Sequence, residues 1–259
     1  GADGGSGETL SPLQQQLQEE QSAIMNSEVQ IATKLSSIMQ MIQSGMLQNA
    51  LPAIQNYLQN DFSRVVSVEN ILATVNIAAL ILNAQQPQLS LQIMEAVYPP
   101  IKMNFSSRKE LLLPSMDLLG KAYAYSGNVP AAIPILEEYM KLAEEERSVT
   151  KAPNPTLDQT QDLMVKLYGS LRQFDKAVGI YTSQFEYYKN TQGEASEAAI
   201  TAINNRAMYW FALQNFDKSR ADHKEVIRLL TILQGADHPE TIQSLDGFKA
   251  LYAGNGMQY

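Results

Sequence analysis

A recurrence of about 42 residues constrains this chain more than any other feature of its sequence. Two stretches align directly. One is Leu119-Gly120-Lys121-Ala122-Tyr123, with Gly127 and Ala132 downstream. The other is Met164-Val165-Lys166-Leu167-Tyr168, with Phe174, Asp175, Lys176 and Ala177 downstream. In both, a large residue precedes a small one by nine positions, and the same offset joins Trp210 to Ser219 and Ile81 to Ser90. The anchors Ile81, Tyr123, Tyr168, Trp210 and Tyr252 are then spaced by 42, 45, 42 and 42 residues. A weaker copy is anchored at Met41, followed by Gly45, Ala50 and Ile54.

Between anchors the apolar residues recur with a helical period, and Gly and Pro are sparse, which predicts a chain that is nearly all helix. The pattern is that of paired helices. Each large anchor fills the space between a first helix and a second. Small residues at Ala78, Gly120 and Ala207, and at Ala132, Ala177 and Ser219, let the two backbones approach. Gly127-Asn128 and Gln173-Phe174-Asp175 read as the turns between them. Proline punctuates the rest: Pro114 before one first helix, Pro130 in the first turn of a second helix, Pro239 before the last first helix, and Pro99-Pro100 ending a second helix.

Leu119-Gly120, Tyr123, Gly127 and Ala132 resemble the signature of the tetratricopeptide repeat. That repeat ordinarily has a period of about 34 residues. The longer period here resembles the kinesin light chain type. Ile203-Asn204-Asn205-Arg206-Ala207 looks like that family's first-helix motif, with Arg206 in place of the usual Leu. Leu233-Gln234-Gly235-Ala236-Asp237-His238-Pro239-Glu240-Thr241 looks like its linker. The resemblance extends over roughly residues 35–259 and is strongest over 115–253. The first copy carries Ser37 and Ile38 at the Leu-Gly positions, which leaves its register open. The fold so implied is all-α, a right-handed superhelical solenoid of about five helix pairs plus a C-terminal capping helix.

The two ends read differently. Residues 1–9 begin with four glycines in seven residues and are expected to be a disordered tail. Residues 10–34 form an N-terminal helix, with Leu10, Leu17, Ile24, Ile31 and Ile38 spaced by seven. The companion seam holds Leu13 and Met41, but also Glu20, Ser27 and Lys34. A coiled coil wants both seams apolar. One apolar seam suits a helix that caps the solenoid or joins a loose homodimer. Only seven residues follow Tyr252, so the last first helix lacks its mate.

Composition removes several function classes. The chain has 27 acidic and 19 basic side chains, a net charge of −8, which argues against a nucleic-acid partner. It has no cysteine and two histidines, which excludes thiolate metal sites, disulfides and cysteine nucleophiles. The longest apolar stretch, residues 71–84, contains Asn76 and Asn83 and falls short of the roughly 20 residues a membrane span needs. His223 sits where the repeat wants a core residue, and His238 lies in the linker, where the resemblance implies a turn contact. The acidic run from Glu137 to Arg147 reads as a solvated helix face. No metal, cofactor or catalytic constellation is expected. The cysteine-free chain suits both an exported protein that has lost its signal peptide and a cytoplasmic one, with the exported reading slightly favoured.

What remains is a binding surface. First helices line the concave side of such solenoids. Counting from the anchors, the groove positions are Asn76, Leu82 and Asn83; Asp117, Lys121 and Tyr125; Asp162, Lys166 and Ser170; and Asn204, Asn205, Met208 and Phe211. Asp117/Lys121 and Asp162/Lys166 are i,i+4 pairs at identical repeat positions, read either as surface pairs or as a mixed-charge wall that orients a peptide. In kinesin light chain repeats the Asn matching Asn205 hydrogen-bonds partner peptide backbone. That resemblance implies the same role for Asn205, with Asn76 second. The Lys, Arg and Asn cluster of carboxylate-clamp repeats is not matched. The expected function is a non-enzymatic scaffold binding a peptide segment or protein in its groove. The alternatives are a self-assembling module and a constitutive accessory subunit.

Overall fold

The computed structural model describes residues 7–259; most of the expected tail, residues 1–6, lies outside them. Eleven α-helices follow one another among the described residues, with no strand. The chain divides into two compact units, one ending at Tyr139 and one running from Met140 to Tyr259.

In the first unit, α1 (Pro12–Gln43) opens on a reciprocal cap: Gln14 N–H donates to Ser11 Oγ, and Ser11 N–H donates to Gln14 Oε1. The helix runs unbroken through residue 34, so the expected boundary there is not a break in the structure. Its second half is buried through Ile31, Leu35, Ile38 and Ile42, at alternating steps of four and three residues along one face. Two polar clamps hold that half in place. Glu28 accepts from Val66 N–H at 2.8 Å and from Asn70 Nδ2 at 2.7 Å. Asp61, 2% exposed, takes Lys34 at 3.0 Å and Arg64 at 2.6 Å. Burial opposes ionisation of Asp61, but these two cations hold its carboxyl below the ordinary range. A short α2 (Leu47–Asn56) buries Ala50 and Ile54 and leads through a π-turn and a 3-10 turn into α3 (Val68–Asn83).

The apolar stretch expected to be a buried helix is α3, with Ile71, Val75, Ala78 and Ile81 inside. Its partner α4 (Pro87–Asn104) corrects the reading of Pro99-Pro100 as a helix end, because the helix passes through both. The carbonyls that lose their donors belong to Glu95 and Ala96, which are exposed to water, while buried Val97 and Ile101 pin the last turn. Pro114 likewise lies inside α5 (Lys109–Tyr125), not before it. From Leu111 to Gly120 only Pro114 is exposed, so this helix is the centre of its unit. The following α6 (Val129–Thr150) is shared, its first half in one unit and its second half in the other.

In the second unit α7 (Pro155–Ser170) pairs with α8 (Phe174–Gln192), and α9 (Glu197–Ala212) with α10 (Phe216–Gln234). The last helix, α11 (Pro239–Gly254), packs on α10 and buries Tyr252 completely. Its N-cap is His238, whose Nδ1 accepts from Glu240 N–H at 3.1 Å, the turn contact that the linker resemblance implied.

One backbone device recurs four residues after every anchor. Gly45, Gln85, Gly127, Arg172, Gln214 and Gly256 all have positive φ, between 56° and 86°. The next N–H reaches back to the anchor's own carbonyl: Met46 to Met41, Gln86 to Ile81, Asn128 to Tyr123, Gln173 to Tyr168, Asn215 to Trp210 and Met257 to Tyr252. This is a paired-bond helix stop that satisfies orphan carbonyls. It recurs in all six copies, which places the register of the first copy on Met41. Three of the six positions hold a side chain where glycine is strain-free. Gln214→Gly is therefore expected to raise stability by about 0.5–1 kcal/mol, and Gly127→Ala to lower it by about 1 kcal/mol. Urea unfolding of the two variants beside the parent checks both signs.

Candidate functional site

The outward face of α9 gathers the largest group of expected site residues. Ser196 caps the helix, its Oγ accepting from Ala199 N–H at 3.3 Å. The inner face, Ala199, Ile200, Ala202 and Ile203, is buried with Phe185 of α8 and Val226, Leu229 and Leu230 of α10. That burial turns Thr201, Asn204, Asn205 and Met208 to one side, at helical spacing. Met208 is 58% exposed. Asn204 and Asn205 are half-buried, and Asn204 Oδ1 is covered from solvent with no hydrogen-bond partner.

Arg206, which stands where the repeat usually has Leu, is held from behind. Its Nε and Nη2 each donate to Asp222 of α10 at 2.8 Å, and Nη1 donates to Thr182 of α8 at 3.2 Å. One side chain thereby ties α8, α9 and α10 together beside the two asparagines. The bidentate pair explains how a base replaces an apolar residue here, since Asp222, 7% exposed, supplies the opposite charge.

Asp162, Lys166 and Ser170 project from α7 into solvent. Burial, and after it the charge of Asp158, pushes the Asp162 carboxyl above its usual range, with Lys166 opposing. A Cβ on Gly169 would lie 3.9 Å from the hydroxyl of Tyr209, so the Tyr209 side chain of α9 reaches the C-terminal end of α7. In the first unit Asn76 and Asn83 are exposed on α3, with Leu82 half-buried between them. Tyr125 is 58% exposed at the end of α5.

Two expected placements differ from the structure. Asp117 and Lys121 form a 2.7 Å pair whose side chains are 8% and 15% exposed, so it is sequestered in α5, unlike Asp162 and Lys166. The cause is the burial of almost all of α5. Phe211 joins an aromatic cluster, its ring 5.0 Å from Phe216 and 5.8 Å from Tyr252, and is packed inward against α10 and α11.

The acidic run is not wholly a solvated face either. Arg147, at its end, is 3% exposed and pairs with Asp158 at 2.9 Å, and Glu144 accepts from Gln161 Nε2 at 3.0 Å. In sequence the only signal was one base closing a run of acids. His223, expected in the core, is 1% exposed, with Nδ1 2.8 Å from the Tyr252 hydroxyl. That hydroxyl donates to Ser219 Oγ at 2.8 Å, which donates to the Ala207 carbonyl at 2.9 Å. The Phe248 ring stacks on the imidazole at 4.1 Å. His223, Tyr252, Ser219 and Phe248 are thus occupied in holding α9, α10 and α11 together.

A family model of the tetratricopeptide repeat matches residues 200–240. Over that stretch the chain is similar to one tetratricopeptide repeat. The match takes in most of α9, all of α10 and the linker to α11. Among solved structures the chain is similar to a Podosopora anserina protein of the kinesin light chain type with nearly identical tetratricopeptide-like repeats. The identity is 16%, the alignment covers 79% of this chain and 97% of that one, and the TM-score is 0.54. A point variant of that Podosopora anserina protein aligns with 16% identity, 79% and 96% coverage and a TM-score of 0.54. A search of curated proteins finds no significant match. The fold is thus all-α, of the kinesin light chain-like tetratricopeptide kind. It supports a protein-interaction scaffold in general, and repeats of this kind are generally non-catalytic. Among the described residues no helix is long and apolar enough to cross a membrane.

The histidine network predicts a pH dependence. Burial depresses the His223 imidazole to about 4, against the upward pull of Asp222. Unfolded, the same group titrates near 6.5. Between those values the unfolded chain takes up a proton that the folded chain refuses, so stability falls as pH drops. The contribution is present in full above about pH 6.5 and is progressively lost down to about pH 4. Urea midpoints across this window will show a steeper fall in the parent than in His223→Gln; equal slopes would mean that another group carries the dependence.

Proposed function

We propose that this chain is a non-enzymatic scaffold that binds an extended peptide segment of a partner protein on the outward faces of its first helices. The observation that carries the reading is the outward face of α9, where half-buried Asn204 and Asn205 stand beside exposed Met208. An amide offers both a donor and an acceptor, so it can pair with an extended backbone whatever its side chains. Methionine adapts its shape to an apolar side chain. On α7, Asp162 and Lys166 add charges of both signs, which would set the direction of the bound segment. In the first unit Asn76 and Asn83 present the same amide chemistry on α3.

Selection from a displayed library of random peptides tests this whatever the partner is. The full chain is expected to enrich peptides whose affinity falls about tenfold or more in Asn204→Ala/Asn205→Ala, consistent with the loss of one or two partly buried hydrogen bonds. Circular dichroism establishes that the variant keeps its helices. Enriched peptides that bind parent and variant equally would move recognition elsewhere.

A second reading, self-association through α1, has one specific observation in its favour. Residues 12–26 are exposed throughout, including Leu13 at 76%, Leu17 at 55%, Ile24 at 50% and Met25 at 68%. An isolated helical stretch of that length is marginal in water. If a second copy covers it, sedimentation over a tenfold dilution will show a dimer that Leu17→Glu/Ile24→Glu dissociates; a monomer at every concentration removes this reading.

A further inference from the structure

The first half of α1 is exposed on every side and takes no part in peptide binding by the first helices. Its apolar residues are not scattered. Leu10, Leu13, Leu17 and Ile24 share one seam, at the steps of three and four residues that a helix presents to a neighbouring helix, with Glu20 holding the place between Leu17 and Ile24. The same seam runs on to Ile31 and Ile38, which are buried in the half of α1 that packs on α2 and α3. The covered part ends where α3 begins, since Glu28 bonds Val66 and Asn70 at that end of α3. Val29 and Val66 lie exposed at this edge. From there towards Leu10 the seam has no helix against it among the described residues.

Exposure alone leaves three occupants open: a second copy, a lipid surface and a helix of a partner protein. Charge separates them. The first base in the chain is Lys34, while Glu19 and Glu20 both lie on the exposed stretch. Helices that lie on membranes carry Lys and Arg for the anionic headgroups, and this stretch has neither. A second copy would bring two more carboxylates and no base. It would set Glu20 against its own counterpart in a parallel pair, or against a leucine or isoleucine in an antiparallel one. Either arrangement covers a carboxylate without supplying its opposite charge. No base of the chain itself is at hand: Arg64 reaches the seam at Ser27, at 3.4 Å, but is already paired with Asp61. Gln16 Nε2 donates to Glu20 Oε1 at 3.4 Å, which leaves the other carboxylate oxygen for an incoming cation.

We infer that the exposed seam of α1 is the docking site for an amphipathic helix of a partner protein, whose apolar residues pack on Leu13, Leu17 and Ile24 and whose lysine or arginine pairs with Glu20. The bound helix prolongs, towards the start of α1, the helix-on-helix packing that α3 makes further along. The site shares no residue with the asparagine face of α9, so either proposal can fail alone.

The test is fluorescence anisotropy of two labelled peptides titrated with the full chain. One is built of three Ile-Ala-Ala-Leu-Lys-Gln-Lys heptads; its twin has Glu in place of every Lys. Saturable, micromolar binding of the basic peptide is expected, about tenfold or more tighter than that of the twin, with the gap narrowing as salt is added. Leu17→Gln/Ile24→Gln changes two exposed side chains, leaves the core untouched and is expected to weaken binding about tenfold or more. Glu20→Lys is expected to reverse the order of the two peptides. Asn204→Ala/Asn205→Ala is expected to bind the basic peptide as the parent does. In sedimentation the chain alone is expected to remain a monomer. Equal binding of the two peptides, or no saturation by the basic one up to about 1 mM, would overturn the proposal. A dimer of the chain alone that Leu17→Gln/Ile24→Gln dissociates would give the seam to a second copy instead. Recruitment to phosphatidylcholine–phosphatidylglycerol vesicles, lost in the same variant, would give it to a lipid surface.

Discussion

Close approach of two helix backbones at small residues is the constraint on which the helix pairs depend. In two of them the contact is made by the same bond: Ser90 Oγ donates to the Ala78 carbonyl at 2.8 Å, and Ser219 Oγ donates to the Ala207 carbonyl at 2.9 Å. The donors stand on second helices and the acceptors on first helices, twelve residues back in each case. In the pair formed by α5 and α6, Gly120 meets Leu136 so closely that a Cβ would overlap its side chain, 2.5 Å from Cγ. Once the backbones are that near, the large anchors have a defined space to fill. Ile81 and Tyr168 fill it with 3% exposure or less. Burial on that side leaves the opposite stripe of each first helix to face outward, and the candidate binding residues follow from it.

Much of this was legible in the sequence because it rests on side-chain size at fixed spacing. The anchors, the small residues nine positions later and the glycines at Gly45 and Gly127 are all visible as letters. The three copies whose turn carries Gln85, Arg172 or Gln214 are not, because those residues adopt a conformation that their type does not announce. The same limit applies to the prolines. Pro99, Pro100 and Pro114 look like helix boundaries, yet the helices pass through them, and whether a helix survives a proline depends on tertiary burial.

The candidate surface was legible to the extent that it follows from helical phase. Asn76, Asn83, Asp162 and Lys166 face outward as counted from the anchors. Asp117 and Phe211 do not follow the same count, because neighbours that the repeat does not specify cover them. Charges that bridge helices were illegible for a related reason. Arg206 with Asp222 and Arg147 with Asp158 join positions 16 and 11 residues apart, on helices whose relative rotation no local pattern encodes. Breaking such a pair is costly, because it leaves the buried partner's charge uncompensated.

In the α5–α6 pair the backbones approach until a single methyl group no longer fits, and Gly120→Ala tests that closeness most directly. In an ordinary helix interior the exchange would stabilise, by about 1 kcal/mol, through helix propensity alone. Here the added methyl meets Leu136, so urea unfolding is predicted to show a loss of about 1–3 kcal/mol instead. A neutral or stabilising Gly120→Ala would contradict the account, since the two helices would then have room to spare at the point where the pairing is held to depend on having none.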